Sequence, residues 1–298
     1  MRVPKWLLLV LVFALVVAAC GDDDATTTTT AAPATTAAPA TTAAPTTTEA
    51  PPAFTTLTEG VLTVGSDVPW PPFEDFDTDG NVIGFDADIV NEMARRLGLD
   101  TEWIDTDFDT IFTQVATGTF DVAASGITIT AERGEAVGFT QGYFNSNQAL
   151  TVNADATPDI AAVADLKAGD SVAVQTGTTG RDWAVENLDP LGIVVREFPG
   201  APDTYNALEG GQVTGVIFDI DSALEEAGNR PGLAVVEEIV TGEVYGFAVN
   251  PERPVLLAEL DRALGEMIDD GFYQTTYDTW FDRPEGSINY GPPVLPDA

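Results

Sequence analysis

An α/β fold with largely parallel sheets is what this 298-residue sequence predicts. Two observations carry it. Short apolar runs with the texture of strands alternate with segments whose apolar residues return every three or four positions. The alternation begins at Val61 and continues to Trp280; after the first fifty or so residues roughly 240 remain, enough for one large core or two smaller ones.

The elements follow in order. Residues 61–64, Val-Leu-Thr-Val, form a short apolar strand. Residues 85–97 read as a helix, because Ile89, Met93 and Leu97 recur four apart and Gly98 suits a C-cap. A strand is expected at 101–104. Residues 108–116 place Phe108, Ile111, Phe112 and Val115 on one helical face. Further strands are expected at 121–124, 171–174 and 213–217, with helices at 179–187, 202–209 and 222–227 between and after them. Two helices, 254–270 and 272–280, end the fold, and the Pro/Gly-rich residues 285–298 read as an irregular tail.

Composition narrows the chemistry. Forty-eight Asp plus Glu stand against 12 Lys plus Arg, a formal net charge of −36. Such a surface repels phosphate backbones and anionic head groups, which argues against nucleic acid as a partner. Cys20 is the single cysteine and histidine is absent. An internal disulfide, Cys/His zinc sites and His-based catalytic triads are therefore excluded. A Ser/Lys or carboxylate-pair enzyme stays open on composition. No phosphate-cradling glycine loop is present, and no cofactor is expected.

The first twenty residues read as an address. Arg2 and Lys5 form a positive start, an apolar run follows from Trp6 to Val17, and Val-Ala-Ala-Cys ends it at Cys20. The run is too short to span a bilayer comfortably and fits a secretory signal. The small-small-Cys ending resembles the lipobox of bacterial lipoproteins, which implies that Cys20 carries a lipid and anchors the protein outside the cytoplasm. Residues 21–56 are a linker of mostly Thr, Ala and Pro, with Thr-Thr-Ala-Ala-Pro at 29–33, 35–39 and 41–45; this composition cannot bury a core and reads as a disordered stalk.

Four stretches then carry a resemblance. The first is Gly65-Ser66-Asp67-Val68-Pro69-Trp70-Pro71-Pro72-Phe73, followed by Gly84-Phe85-Asp86-Ala87-Asp88. The second runs from Asp121 through Ser125-Gly126-Ile127-Thr128 to Ala131-Glu132-Arg133, with Phe139-Thr140 and Tyr143 beyond. The third is Val172-Ala173-Val174-Gln175-Thr176-Gly177-Thr178-Thr179, and the fourth is Gly211 through Asp219 with Tyr245-Gly246-Phe247. In this order, behind a lipobox, they resemble the family 3 solute-binding proteins, the polar amino acid receptors of ABC importers. The likeness covers roughly residues 57–283.

The resemblance implies a type II periplasmic-binding-protein-like fold of two α/β lobes. Lobe 1 would comprise 57–147 and the return 245–284; residues 148–244 would hold a hinge strand and lobe 2. Hinge strands are expected at 148–152 and 245–249, with a ligand cleft between lobes that close over it. The implied partners are a small zwitterionic amino acid and an ABC permease with its ATPase subunit; a monomer is expected, touching the membrane through its lipid alone.

A free amino acid demands a cation for its carboxylate and an acceptor for its ammonium. Arg133 offers the planar fork that matches a carboxylate, as the matching arginine of the family does, although a surface ion pair with Glu132 or Glu135 is the plainer use of such a residue. Asp219 ends a strand whose carboxyl end faces the cleft of an open parallel sheet; by resemblance it accepts the ammonium, while capping the next helix is the alternative. Thr178 and Thr179 start a helix whose N–H groups suit a carboxylate. Ser125 and Thr128 offer carbonyl and hydroxyl contacts, or ordinary strand-end capping. The resemblance implies aromatic walls at Trp70 and Phe108, though Phe108 also suits a core, and contact of Asp67 with the ligand side chain. An acid beside Trp70 favours a basic or amide side chain over an acidic one.

Gly126 stands where the family often has Ser, and Gly180 where a polar side chain is common; both are expected to enlarge the side-chain pocket. Asp75 to Gly80 with Asp86 partly matches a calcium loop, but Asp-Gly is itself a turn signal, and no metal is assigned. The rival functions are a prephenate-type dehydratase on the same scaffold, with Asp67 or Glu74 as the acid or base, and a soluble ligand sensor.

Overall fold

A computed structural model describes residues 54–281. The expected signal segment with Cys20, all but the last three residues of the linker, and the tail 285–298 lie outside the described residues. Among the described residues no helix is long and apolar enough to cross a membrane.

The chain forms two α/β lobes, each on its own five-stranded sheet. Lobe 1 begins with β1 (Val61–Ser66), a short hairpin of β2 (Asp75–Phe76) and β3 (Val82–Ile83), α1 (Phe85–Leu97), β4 (Asp100–Asp105), α2 (Phe108–Ala116), β5 (Val122–Ala123) and β6 (Gly138–Phe139). The chain crosses on β7 (Phe144–Asn153). Lobe 2 then adds β8 (Ser171–Gln175), α3 (Thr179–Asn187), β9 (Val194–Phe198), α4 (Ala201–Glu209), β10 (Gly215–Asp219) and α5 (Ile220–Asn229). It returns on β11 (Leu233–Tyr245), and lobe 1 is completed by β12 (Ala248–Val249), α6 (Pro254–Asp269) and α7 (Phe272–Trp280).

The lobe 1 sheet runs β4-β1-β5-β12-β6 and the lobe 2 sheet β11-β7-β10-β8-β9. β1 pairs in parallel with β4 and β5, and β8 with β9 and β10, as strands joined by crossover helices must. The crossings differ from the expected hinge. β7 and β11 pair antiparallel from Asn153 and Leu233 to Phe144 and Tyr245, so residues 148–152 lie within the lobe 2 sheet, and residues 144–147 already belong to the strand that enters it. Ala248 and Val249 pair with β5 and β6 in lobe 1. The backbone leaves one sheet for the other around Phe144 and between Tyr245 and Ala248. The reason is visible in the residues: β7 is buried along almost its whole length and is worth more as a central strand than as a free connector.

Helices end where their residues dictate. Gly98 adopts φ 73° and its N–H bonds back to Ala94 and Arg95, the left-handed cap that a glycine meets without strain. An aromatic core of Phe73, Phe85, Tyr143, Phe144, Tyr245, Phe247, Tyr273, Tyr277 and Phe281 ties the returning C-terminal helices to lobe 1 and to the crossing strands. Asp121, fully buried, joins the start of the fold to its end: it accepts from the N–H groups of Leu57 and Thr63 and from the Arg253 guanidinium at 2.7 Å. In the β2–β3 hairpin, Asp77 accepts from the backbone N–H groups of Asp79 and Asn81 and from the Asn81 amide. Its carboxylate is spent on the turn, as the Asp-Gly signal implies.

Candidate ligand-binding site

Between the lobes lies a narrow cavity; its empty space, counted with the solvent open to it, is about 330 Å3. The four resemblance stretches converge on it. Asp67, Trp70, Phe108, Ser125, Gly126, Thr128 and Arg133 form the lobe 1 wall; Gln175, Thr178, Thr179, Phe218 and Asp219 form the lobe 2 wall. All ten cavity residues expected from the sequence therefore meet in one place.

Arg133 begins a single 3-10 turn and reaches across the cleft. Its Nη1 donates to the Thr128 carbonyl at 2.8 Å and its Nη2 to the Gly177 carbonyl of lobe 2 at 3.1 Å. Its guanidinium lies 4.7 Å from the Phe112 ring centre and 5.4 Å from that of Phe108, close enough for cation–π attraction. Among the described residues it forms no ion pair, so the alternative of a surface bridge to Glu132 or Glu135 does not describe it. Burial lowers its pKa, against the opposing pull of Glu243 and Asp219. Arg181, the other cation near the cleft, is spent on Asp182 and Glu197.

Asp219 is 9% exposed and precedes α5, but its carboxylate caps nothing. Its Oδ1 accepts from the Tyr245 hydroxyl at 2.8 Å and from the Gln148 amide at 3.0 Å. Burial, and then the charge of Glu243, push its carboxyl up to about 8. Asp67 lines the cavity from lobe 1 and is pushed up to about 7, first by burial and then by Asp105, Asp107 and Asp109; the Gln175 amide, which donates to its Oδ2 across the cleft at 2.5 Å, opposes the shift.

Thr178 caps α3: its hydroxyl accepts from the Arg181 N–H at 3.1 Å and donates to the Gln175 carbonyl. Thr178 and Thr179, at the start of α3, both line the cavity. Two expected hydroxyl contacts are already engaged within the protein. Ser125 donates to Glu74 at 2.6 Å, and Thr128 donates to Glu243 at 2.6 Å. Glu74 is fully buried behind Ser125 and is not part of the cavity wall, so of the two acids considered for a dehydratase only Asp67 reaches the cavity. Phe108 serves both readings made of it, lining the cavity and packing with Ile111, Val115 and Phe120.

The expectation of a larger pocket is corrected. A Cβ on Gly126 would stand 1.8 Å from Cζ3 of Trp70, and one on Gly180 would stand 2.5 Å from Oε1 of Gln148. The space each glycine leaves is filled by a larger neighbour. Gln175, Phe218, Gln148 and Glu243 escaped the sequence reading. Gln175 and Phe218 lie inside the quoted stretches, Phe218 beside Asp219 and Gln175 at a strand end three residues before Thr178, which is a usable signal; the other two have none.

The wall pairs one guanidinium with two carboxylates, and both lobes contribute polar groups to it. Comparison with known proteins bears on the family and the fold. The model of the bacterial extracellular solute-binding proteins, family 3, matches residues 62–283. The ABC transporter arginine-binding protein 1 of Escherichia coli K12 is 27% identical over 74% of this chain and 91% of its own. Among solved structures, an ancestral arginine-binding protein bound to arginine is 35% identical with a TM-score of 0.71, over 75% of this chain and 99% of that one. The same ancestral type bound to glutamine is 34% identical with a TM-score of 0.71, over 76% of this chain and all of the other. With four motifs in order, two lobes and the cleft between them, this chain belongs to the bacterial extracellular solute-binding proteins, family 3.

Proposed function

We propose that the protein captures a free amino acid, with a basic or amide side chain preferred over an acidic one, and presents it unchanged to an ABC permease and its ATPase. The observation that carries this reading is the charge of the cavity wall. Arg133, from lobe 1, is free of carboxylate partners among the described residues; Asp219, from lobe 2, is a buried acceptor. A zwitterion satisfies one with each pole. Asp67 then remains as the second carboxylate, and a cationic or amide side chain answers it where an acidic one would be repelled. The names of the relatives, arginine-binding and glutamine-bound, agree with that preference. Ligand touching both lobes favours the closed form, and that difference in affinity drives closure. Lipid attachment at Cys20 would hold the monomer at the outer face of the membrane.

The test is a thermal-shift screen over the twenty amino acids followed by calorimetry. A ligand at a hundred times its Kd stabilises by about 2.7 kcal/mol. L-Arginine, and then L-glutamine, should raise the melting temperature most. Arg133→Ala should weaken the best ligand by about 2 kcal/mol or more, roughly thirtyfold, because the carboxylate would be desolvated without a partner. Binding unaffected by Arg133→Ala, or a best ligand with an acidic side chain, would overturn the assignment.

A further inference from the structure

We infer that Glu243 holds the lobes together in the closed form, as a positioning residue behind the cavity wall that ties a hydroxyl of each lobe to one carboxylate oxygen. The inference rests on the amino-acid-binding reading for its ligand, but the latch itself is made of protein groups alone. Glu243 lies on β11, where the strand passes from lobe 2 toward lobe 1, at the end of an irregularity in the pairing with β7. It is 8% exposed and does not line the central cavity. Its Oε2 accepts from Thr128 of lobe 1 at 2.6 Å and from Thr179 of lobe 2 at 2.7 Å, while the two hydroxyl oxygens stand 3.5 Å apart. Its Oε1 accepts from Gln148 at 2.8 Å and Thr241 at 2.9 Å.

Four donors thus converge on one buried carboxylate, and bonds to an ionised acceptor are the stronger kind. The two that meet on Oε2 come from different lobes and from residues that themselves line the cavity. Separating the lobes moves Thr128 away from Thr179, and a single oxygen cannot stay within hydrogen-bond reach of both. At least one of the two bonds on Oε2 must break on opening, although Thr128, Thr179 and Glu243 also border an open recess at the surface. Gln148 extends the latch inward, since the same Nε2 also donates to Asp219. Gln148 and Asp219 are paired neighbours in the lobe 2 sheet, so Glu243 also steadies the acceptor for the ligand ammonium through Gln148, without touching the ligand.

A latch of this kind acts on release. Glu243→Ala should raise the dissociation rate of L-arginine about tenfold in stopped-flow measurements and leave the association rate within twofold, since affinity changes of this sort sit mainly in the off-rate. Thr179→Val, which removes one of the four bonds, should raise it by a smaller factor, and the double variant should lose little more than Glu243→Ala alone, where the Thr179 bond is already gone. Glu243→Gln, which keeps the volume and one acceptor oxygen, should fall between. The second measurement is the distance distribution between spin labels at Thr113→Cys on α2 and Glu186→Cys on α3, with Cys20 replaced by Ser. Without ligand, Glu243→Ala should lower the closed fraction. If wild type binds no amino acid the proposed function fails, and the spin-label distances still decide the latch. Equal dissociation rates, or an equal closed fraction in Glu243→Ala and wild type, would overturn it.

Discussion

The indole of Trp70 occupies the volume that a side chain at residue 126 would need: a Cβ there would stand 1.8 Å from Cζ3 and 2.0 Å from Cη2 of the ring. Gly126 also holds φ at +48°, where other residues are strained. Trp70 is itself fixed from behind by stacking on Phe73, with ring centres 4.6 Å apart. The floor of the cavity is thus a glycine chosen for an aromatic ring. The buried Asp86 reinforces it by accepting the Gly126 N–H at 3.1 Å and the Tyr143 hydroxyl at 2.7 Å.

Gly126→Ser should therefore damage the fold before it changes the ligand. The added atoms meet a ring that is stacked on Phe73 and can yield only into the cavity, and overpacking of that kind costs about 1–3 kcal/mol in addition to the backbone strain. A lower melting temperature for ligand-free Gly126→Ser is expected by calorimetry. Pairing it with Trp70→Leu should recover part of the loss. If Gly126→Ser alone melts with wild type, the ring is freer than its packing implies.

Asp67→Asn tests side-chain selection. The amide keeps the acceptor that Gln175 bonds but removes the charge facing a basic side chain. Affinity for L-arginine should fall about tenfold, the equivalent of 1.4 kcal/mol, and affinity for L-glutamine should change little. Titration calorimetry with both ligands reads the ratio. Equal losses for the two would place the arginine side chain elsewhere.

How far the sequence carried this reading depended on distance along the chain. The helices at 85–97 and 108–116 were legible to the residue, because their apolar period is local. β9 and most of β11 were not: β9 is largely exposed and carries Arg196 and Glu197, and β11 carries Glu237, Glu238 and Glu243 with its alternation broken by two register shifts. The cavity residues could be named because the quoted stretches bring their order with them. Glu243 meets Thr128 across 115 residues, and Gln175 meets Asp67 across 108. No spacing rule reaches that far, and an acid in a strand reads as solvated until its donors are seen. Gly126 and Gly180 misled for the same reason: a missing side chain is visible in the sequence, and the neighbour that fills its place is not.

Stability should fall as pH rises from about 4 to 8. Burial pushes Asp67 and Asp86 up to about 7 and Asp219 up to about 8, and holds Glu74, beside Asp86, well above the carboxylate range. An unfolded chain sheds these protons near pH 4, so in this window the folded state binds more of them. The stabilisation is complete below the unfolded value and is lost as pH passes through the folded ones. Self-repulsion in a chain of net charge −36 acts in the same direction. The ligand-free melting temperature should be higher at pH 5.5 than at pH 8, and Asp219→Asn should flatten the upper part of that slope. A steady rise from pH 5.5 to 8 would contradict the assignment of buried protonated acids.

Binding should release protons at neutral pH. At pH 7, below the value of about 8 set for Asp219 by burial and Glu243, its carboxyl in the closed form is largely protonated, and the ligand ammonium must displace that proton to gain an ionised partner. A bound cation lowers the carboxyl pKa, so affinity is expected to tighten as pH rises from 6 toward 8 and to level off beyond it. Asp67, pushed up to about 7, adds to the release when the side chain is cationic and much less when it is an amide. Calorimetry at pH 7 in buffers of different ionisation enthalpy counts the protons directly. L-Arginine should release more than L-glutamine, and Asp219→Asn should remove the part common to both. An enthalpy independent of buffer would show that Asp219 is ionised before the ligand arrives, and its place as the ammonium acceptor would then have to rest on geometry alone.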